Sequence, residues 1–395
     1  MNKDRQVTGN YPKLPILGWA AFTGERVAPL PGVLDAPYRR DTTSGRAAIG
    51  LALQVIGVKP RDRVLVPTYH CPTMIAPIVQ AGAQPVFYPI TGTGGADINW
   101  LRQGASVGAR AMLVVHYFGL PQPMAGVRAF CDANAISLIE DCAHAVFGVS
   151  DGRPVGHWGD IAIASLTKFF PVPEGGMIVS STRPLDELKL SRRGWLEELK
   201  AVVDAIQLGT EHRGFAGLNA VLRRVFGLKN WLRKRYISES VNRGPRAYGR
   251  ANSVEIHRFW SSRSAFAARW IANNVHRARI AATRRRNYAQ LAARLSRLKG
   301  AHAPFTDLPD TAVPYVFPLY VDEPAASYQR LRGAGIPIFR WDELWLGTPA
   351  LPGDRGVEWA SHIFQLGCHQ DLTSDQVDAI ADIVVAMIDS PPHRT

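Results

Sequence analysis

Between positions 63 and 181 the chain repeats one pattern. A short, nearly unbroken run of Val, Ile, Leu and Ala is followed by a stretch with helical spacing or a loop, and then by another run. The runs fall at 63–67, 85–90, 109–117, 137–142, 161–166 and 177–181, and helices are expected at 45–56, 73–81 and 122–133. A strand with one face in water alternates apolar and polar residues; a continuous apolar run has no wet face. Such runs separated by helices predict an α/β fold: a mostly parallel sheet in three layers, with helices on both faces. In such sheets ligands bind beyond the carboxyl ends of the strands, so the residues that follow each run carry the chemistry.

Two of those ends stand out. One run closes on Glu140-Asp141-Cys142-Ala143-His144-Ala145. The next is followed by Ser165-Leu166-Thr167-Lys168 and then Pro173-Glu174-Gly175-Gly176. An acid and a lysine at the edge of a core are costly unless something partners them. Pyridoxal phosphate needs both: a lysine amine that condenses with its aldehyde, and a carboxylate opposite its pyridinium nitrogen. It also needs a phosphate cradle. Asp41-Thr42-Thr43-Ser44-Gly45-Arg46-Ala47-Ala48 supplies a candidate, a Ser cap followed by Gly at the start of an apolar-periodic helix.

The order and spacing of the three segments resemble the DegT/StrS-type sugar aminotransferases, a branch of the fold-type I pyridoxal-phosphate enzymes. That family's pattern has Ser-Gly-Thr-Ala-Ala, Glu-Asp-Ala-Ala-Gln/His-Ala, and a Lys followed by Gly-Glu-Gly-Gly. The resemblance covers positions 40–181 and resumes more faintly from Arg284 through Gly335-Ile336-Pro337 and Asp371-Leu372-Thr373. Three departures stand beside it. Ser165 is only three residues before Lys168. The position of the family's ring-stacking aromatic falls at Cys71, so Tyr69 or His70 is expected to take that role. The family's Gly-Tyr-Asn-x-Arg loop has no clear counterpart.

The resemblance implies a role for each residue. Lys168 would bind the cofactor and move the proton, and Asp141 would pair with the ring nitrogen. His144 would reach the phenolic oxygen. Ser44, Gly45, Arg46 and Ser165 would hold the phosphate, and Tyr69 or His70 would face the ring. It also implies the reaction: transfer of an amino group from an amino acid, glutamate foremost, to a keto-sugar, nucleotide-linked, in glycan or secondary-metabolite assembly, by a homodimer. Two alternatives stay open, another Schiff-base chemistry at the same lysine and a non-catalytic, membrane-associated scaffold. His116 is expected to be a core histidine, and His369 and Gln370 receive no role.

Composition sets the boundaries. At 395 residues and 46% apolar content the chain can bury a large core. No apolar run approaches ~20 residues, the start resembles no signal peptide, and the four cysteines lack metal-type spacing, which together predict a cytoplasmic protein without a metal. The net charge of +13 is spread over the whole chain, as a coding bias toward Arg would produce, and no nucleic-acid partner is expected. The expected division is an N-terminal arm (1–40), a cofactor-binding large domain (41–184), a basic helical insert completing it (185–283) and a small C-terminal α/β domain (284–395). The segment 215–236 has an apolar face, with Leu218, Val221, Leu222, Val225 and Leu228, beside crowded cations. It is expected to pack on the enzyme or its dimer mate, with membrane-surface contact the less favoured outcome.

Overall fold

The computed structural model describes residues 11–24, 30–236 and 260–389, so parts of the expected arm (1–40) and insert (185–283) lie outside the described residues. Strands β1 (Tyr38–Thr42), β2 (Arg63–Pro67), β3 (Gln84–Tyr88), β4 (Ala109–Val115) and β5 (Ser137–Asp141) come first. A small hairpin follows, β6 (Val149–Ser150) with β7 (Arg153–Pro154), and then β8 (Ile161–Ser165) and β9 (Gly176–Ser180). Seven of these form one sheet in the order β1-β9-β8-β5-β4-β2-β3. From β3 to β8 every pairing is parallel; β9 is antiparallel to both of its neighbours.

Helices α1 (Gly45–Ile56), α2 (Pro72–Gln80), the single turn α3 (Ile98–Trp100) and α4 (Ala125–Ala133) cover this sheet. Consecutive residues of a strand point to opposite faces, and Val64, Leu65 and Val66 are all fully buried, so both faces are covered. This is the architecture expected from the continuous runs.

Strand β1 was not foreseen. Its sequence, Tyr-Arg-Arg-Asp-Thr, carries three charges and no apolar run. It is an edge strand whose outer residues face water, a setting that tolerates such charges.

Beyond β9 come α5 (Trp195–Glu211), α6 (Asn219–Tyr236) and α7 (Phe266–Asn274). A second sheet follows, built from β10 (Ala301–His302), β11 (Val316–Val321), β12 (Ile338–Phe339) and β13 (Ile363–Gly367). It is antiparallel throughout, in the order β10-β11-β13-β12. With α8 (Arg277–Leu295), α9 (Pro324–Gly333), α10 (Gly356–His362) and α11 (Ser374–Ile388) it encloses a second core around Leu291, Phe317, Phe364 and Ile380. Strand β12 is confined to Ile338–Phe339, just after Pro337, which has no N–H to give a ladder. Helix α11 begins on a reciprocal cap: Thr373 Oγ1 accepts from the Gln376 amide and Gln376 Oε1 from the Thr373 amide.

The basic segment differs from expectation in one respect. Phe215 is buried and Leu222 and Phe226 are half-buried, but Leu218, Val221, Val225, Leu228 and Trp231 are exposed. The apolar residues of α6 therefore form two rows, and only the narrower one packs on the protein. Among the described residues no helix is long and apolar enough to cross a membrane.

Candidate active site

Helix α1 starts at the carboxyl edge of the large sheet. Ser44 is its cap, with Oγ accepting the Ala47 amide at 3.2 Å. The first turn sits hard against its neighbours. A Cβ on Gly176 would lie 2.2 Å from the Ser44 carbonyl carbon, and one on Gly45 would meet the Ser165 side chain at 3.4 Å. The Gly-Gly pair after Lys168 is thus a packing requirement. Gly175 adopts φ +135°, and Gly176 lets β9 pass beneath the start of α1.

Strand β5 is fixed by Glu140, which is fully buried. Its Oε1 accepts from His116 Nε2 at 2.9 Å and the Gly156 amide at 2.7 Å; its Oε2 accepts from the Trp158 and Gly159 amides at 2.9 and 3.0 Å. Burial alone would raise this carboxyl, but the His116 hydrogen bond and the amides outweigh it and hold it below the usual range. His116 Nδ1 accepts the Gln122 amide at 2.9 Å, so the ring proton sits on Nε2, toward Glu140. His116, Glu140 and Cys142 bring ligand-type atoms within 4.8 Å of one another, but Glu140 has no oxygen to spare for an ion. The group fastens the strand end that presents Asp141.

Asp141 and Lys168 then face one cavity of about 180 Å³. Asp141 Oδ1 accepts the Ala143 amide at 2.8 Å, and Oδ2 accepts no hydrogen bond among the described residues. Lys168, on the turn after β8, likewise has no hydrogen-bond partner for Nζ among the described residues. That atom lies 5.3 Å from the Tyr315 ring centre and 6.0 Å from that of Trp341. Burial drives both groups toward neutrality: it raises Asp141 against the pull of the Ala143 amide and Lys168, and it lowers Lys168 against the pull of Cys71 and Asp141. His144 is buried beside them, its ring 4.6 Å from Tyr315 and 4.7 Å from Trp341, with Nδ1 accepting the Phe118 amide at 3.4 Å. Burial and then Lys168 hold His144 well below the usual histidine range, so it is a neutral imidazole with its proton on Nε2.

Of the nine residues singled out from the sequence, seven line this cavity: Ser44, Gly45, Arg46, Asp141, His144, Ser165 and Lys168. Tyr69 and His70 do not. Tyr69 is fully buried behind the wall, its ring 5.1 Å from Trp341 and its hydroxyl accepting from Gln365 Nε2 at 3.3 Å. His70 is bonded to the Pro67 carbonyl through Nδ1 and accepts the Trp345 amide on Nε2, both at 3.0 Å. Both are spent on holding the 341–348 loop. The lining at this end comes instead from Cys71 and from Trp341, a residue of the second sheet's connections. Nothing near Trp341 in sequence marks it for this place.

Arg284 was also missed as a site residue. It is fully buried, with Nη2 donating to the Lys168 carbonyl at 2.7 Å, Nη1 to the Pro314 and Tyr315 carbonyls at 3.0 Å, and Nε to Gln370 Oε1 at 2.8 Å. Gln370 in turn donates to the Phe169 carbonyl at 2.9 Å. The backbone of Lys168 is therefore held from α8 and from the loop before α11. A second chamber of about 520 Å³ opens from the first, sharing Cys71, Thr73, Lys168 and Trp341 and walled further out by Tyr328, Arg332, Arg340 and Glu343.

Known proteins place this geometry. The sequence profile of the DegT/DnrJ/EryC1/StrS aminotransferase family matches residues 34–207. GDP-perosamine synthase of Vibrio cholerae is 30% identical over 172 residues, 42% of this chain and 47% of that protein. UDP-N-acetyl-3-dehydro-alpha-D-glucosamine 3-aminotransferase of Acidithiobacillus ferrooxidans is 33% identical over 150 residues, 36% and 40% of the two chains. The chain thus spans less than half the length of these curated relatives. Solved structures cover far more. PseC of Helicobacter pylori, an aminotransferase involved in the biosynthesis of pseudoaminic acid, aligns over 90% of this chain and 88% of its own, with a TM-score of 0.62 at 14% identity. The aminotransferase from Psychrobacter cryohalolentis aligns over 90% and 89%, with a TM-score of 0.61 at 19% identity. The structural matches show that the chain shares the fold of these aminotransferases, and its residues 34–207 resemble the DegT/DnrJ/EryC1/StrS aminotransferase family.

Proposed function

We propose that the protein is a pyridoxal-phosphate-dependent aminotransferase that moves an amino group from an amino acid, glutamate foremost, to a nucleotide-linked keto-sugar. One observation carries this: a buried carboxylate, Asp141, and a buried amine, Lys168 Nζ, face one cavity edged by the start of a helix, and among the described residues neither Asp141 Oδ2 nor Lys168 Nζ has a hydrogen bond. Buried charges left in this way are costly, and a group that engages both repays the cost.

The donor set fits pyridoxal phosphate, which supplies an electron sink for the carbon that loses its proton. The first-turn residues Gly45 and Arg46 with Ser165 would hold the phosphate, where the helix start favours negative charge. Asp141 would keep the ring nitrogen protonated, and His144 would donate from Nε2 to the phenolic oxygen. Trp341, from the cavity wall, would face the ring where Cys71 is too small to stack. Burial lowers the basicity of Lys168 and so favours the neutral amine that would bind the aldehyde and later carry the proton between carbon centres.

Two of the named relatives, the GDP-perosamine synthase and the UDP-N-acetyl-3-dehydro-alpha-D-glucosamine 3-aminotransferase, are named for nucleotide-linked sugars, and this supports the substrate class. The outer chamber has room beyond the cofactor end and carries Arg332 and Arg340 in its wall, where a diphosphate linkage would find cations. Dimer formation and a cytoplasmic working place belong to the same proposal. The four unpaired cysteines accord with the latter. Purified protein should absorb in the near-visible, and borohydride should bleach it and leave a modified Lys168 in the peptide map. Mass spectrometry of products from a panel of keto-sugar nucleotides with glutamate then tests the reaction; a colourless protein that aminates none of them refutes it.

A further inference from the structure

We propose that the outward row of α6 docks this protein on an anionic lipid surface. The row is Leu218, Val221, Val225, Leu228 and Trp231, with 47%, 58%, 56%, 58% and 51% of each residue exposed. The steps of three and four residues put all five on one face of the helix and its lead-in, over ~20 Å at 1.5 Å per residue. Scattered exposed apolar residues are ordinary; an ordered row of them is not. Helix α5, which packs against α6, and α7, which packs against α5, expose apolar residues as well. Helix α5 exposes Trp195 (73%) and Leu199 (53%), and α7 exposes Phe266 (63%).

Charge selects the occupant. From Asn219 to Tyr236 the sequence contains no Asp or Glu, while Arg223, Arg224 and Lys229 stand exposed beside the row. A second copy meeting this face across a two-fold axis would bring α6 toward α6 and set cations against cations. An anionic membrane offers what the face lacks: negative headgroups for the cations and a boundary layer for the Leu, Val and Trp side chains. Binding of this kind lies in the plane of the surface and requires no spanning helix. The proposal does not depend on the chemistry of the cavity.

The test uses the full chain loaded with pyridoxal phosphate and sedimented with vesicles of phosphatidylcholine, alone or mixed with phosphatidylglycerol. The mixed vesicles should carry the protein down and the neutral ones should not, and added salt should weaken the association. Val225→Glu with Leu228→Glu, and separately Arg223→Glu with Arg224→Glu, should each lower the partition by at least about tenfold. Circular dichroism and aminotransferase activity should be unchanged, because these side chains are exposed and line neither chamber. Equal sedimentation with both vesicle types, no sedimentation with either, or variants that still bind would overturn the proposal. Variants that convert a dimer to monomers in sedimentation equilibrium without altering the vesicle partition would give the face to a second copy instead.

Discussion

The large sheet and the α5–α6 pair are both rich in Leu and Val, and they dispose of them in opposite ways. In β4, Leu113 is fully buried, as are Met112 before it and Val114 to within 2%. In α6, Val225 and Leu228 are more than half exposed although they sit in a regular helix beside a folded core. A central parallel strand has no solvent face to offer, so each apolar residue in it is committed. A helix lying on a protein has about one third of its circumference against the core, and apolar residues elsewhere on it are available to something else. Apolar content therefore predicts burial in the first region and a partner in the second.

The largest expected effect breaks the site and leaves both regions standing. Lys168→Ala should abolish transamination and the borohydride-reducible adduct, with the circular dichroism spectrum unchanged; an adduct that persists would place the reactive amine elsewhere. Lys168→Arg should be nearly as damaging, since a guanidinium does not condense with an aldehyde at neutral pH. Next comes a direct comparison of the two regions. Leu113→Ala should cost about 2–5 kcal/mol by denaturant unfolding, because it empties a closed core. Arg332→Ala, in the outer chamber, should raise KM for a nucleotide-linked sugar by about tenfold and leave kcat nearly unchanged.

Asp141→Asn has two readouts. Turnover should fall by at least about tenfold, ~1.4 kcal/mol in the barrier, with cofactor still bound. The stability of the cofactor-free protein should move the other way. Burial raises the Asp141 carboxyl above its unfolded value near 3.8, so in that window the folded state binds more protons than the unfolded. Stability therefore falls as pH rises from 3.8 through the folded value, and the loss is complete above it. The Asn variant escapes this loss, so its Tm should exceed the parent's at neutral pH and match it below pH ~3.8, by about 2–4 °C per kcal/mol relieved. The smallest effect is that of Val225→Ser, which should change stability by no more than about 0.5 kcal/mol in the absence of vesicles. A large loss there would mean that the outward row is covered.

Much of this was visible in the sequence because it is local. Each continuous run became a strand of the large sheet, β3 at its edge and the others inside it, and seven cavity residues sit within a few positions of a strand end or helix start. What escaped depends on tertiary distance. Strand β1 is charged because it is an edge. Strand β13, Ile-Phe-Gln-Leu-Gly, is a short segment that directly follows a helix, where periodicity cannot separate the two states. Tyr69 has the right neighbours in sequence for a ring-facing residue, but its side chain turns behind the wall, and Trp341 arrives from 272 positions away to fill the place. Arg284 is one arginine among many in a basic helix, and no pattern distinguishes it from Arg285 or Arg286. Its role exists only once the Lys168 carbonyl is beside it.

That clamp also sets an order of assembly. When synthesis has passed Ser181, the chain holds Ser44, Asp141 and Lys168 and can close most of the large sheet. The carbonyls of Lys168 and Phe169, however, await Arg284 and Gln370, which lie 116 and 201 residues further along. Contacts of such separation close late in folding. A nascent or truncated chain therefore displays every recognisable motif while its lysine remains unanchored, and competence to capture cofactor arrives only when the last third of the protein has folded back onto the first half.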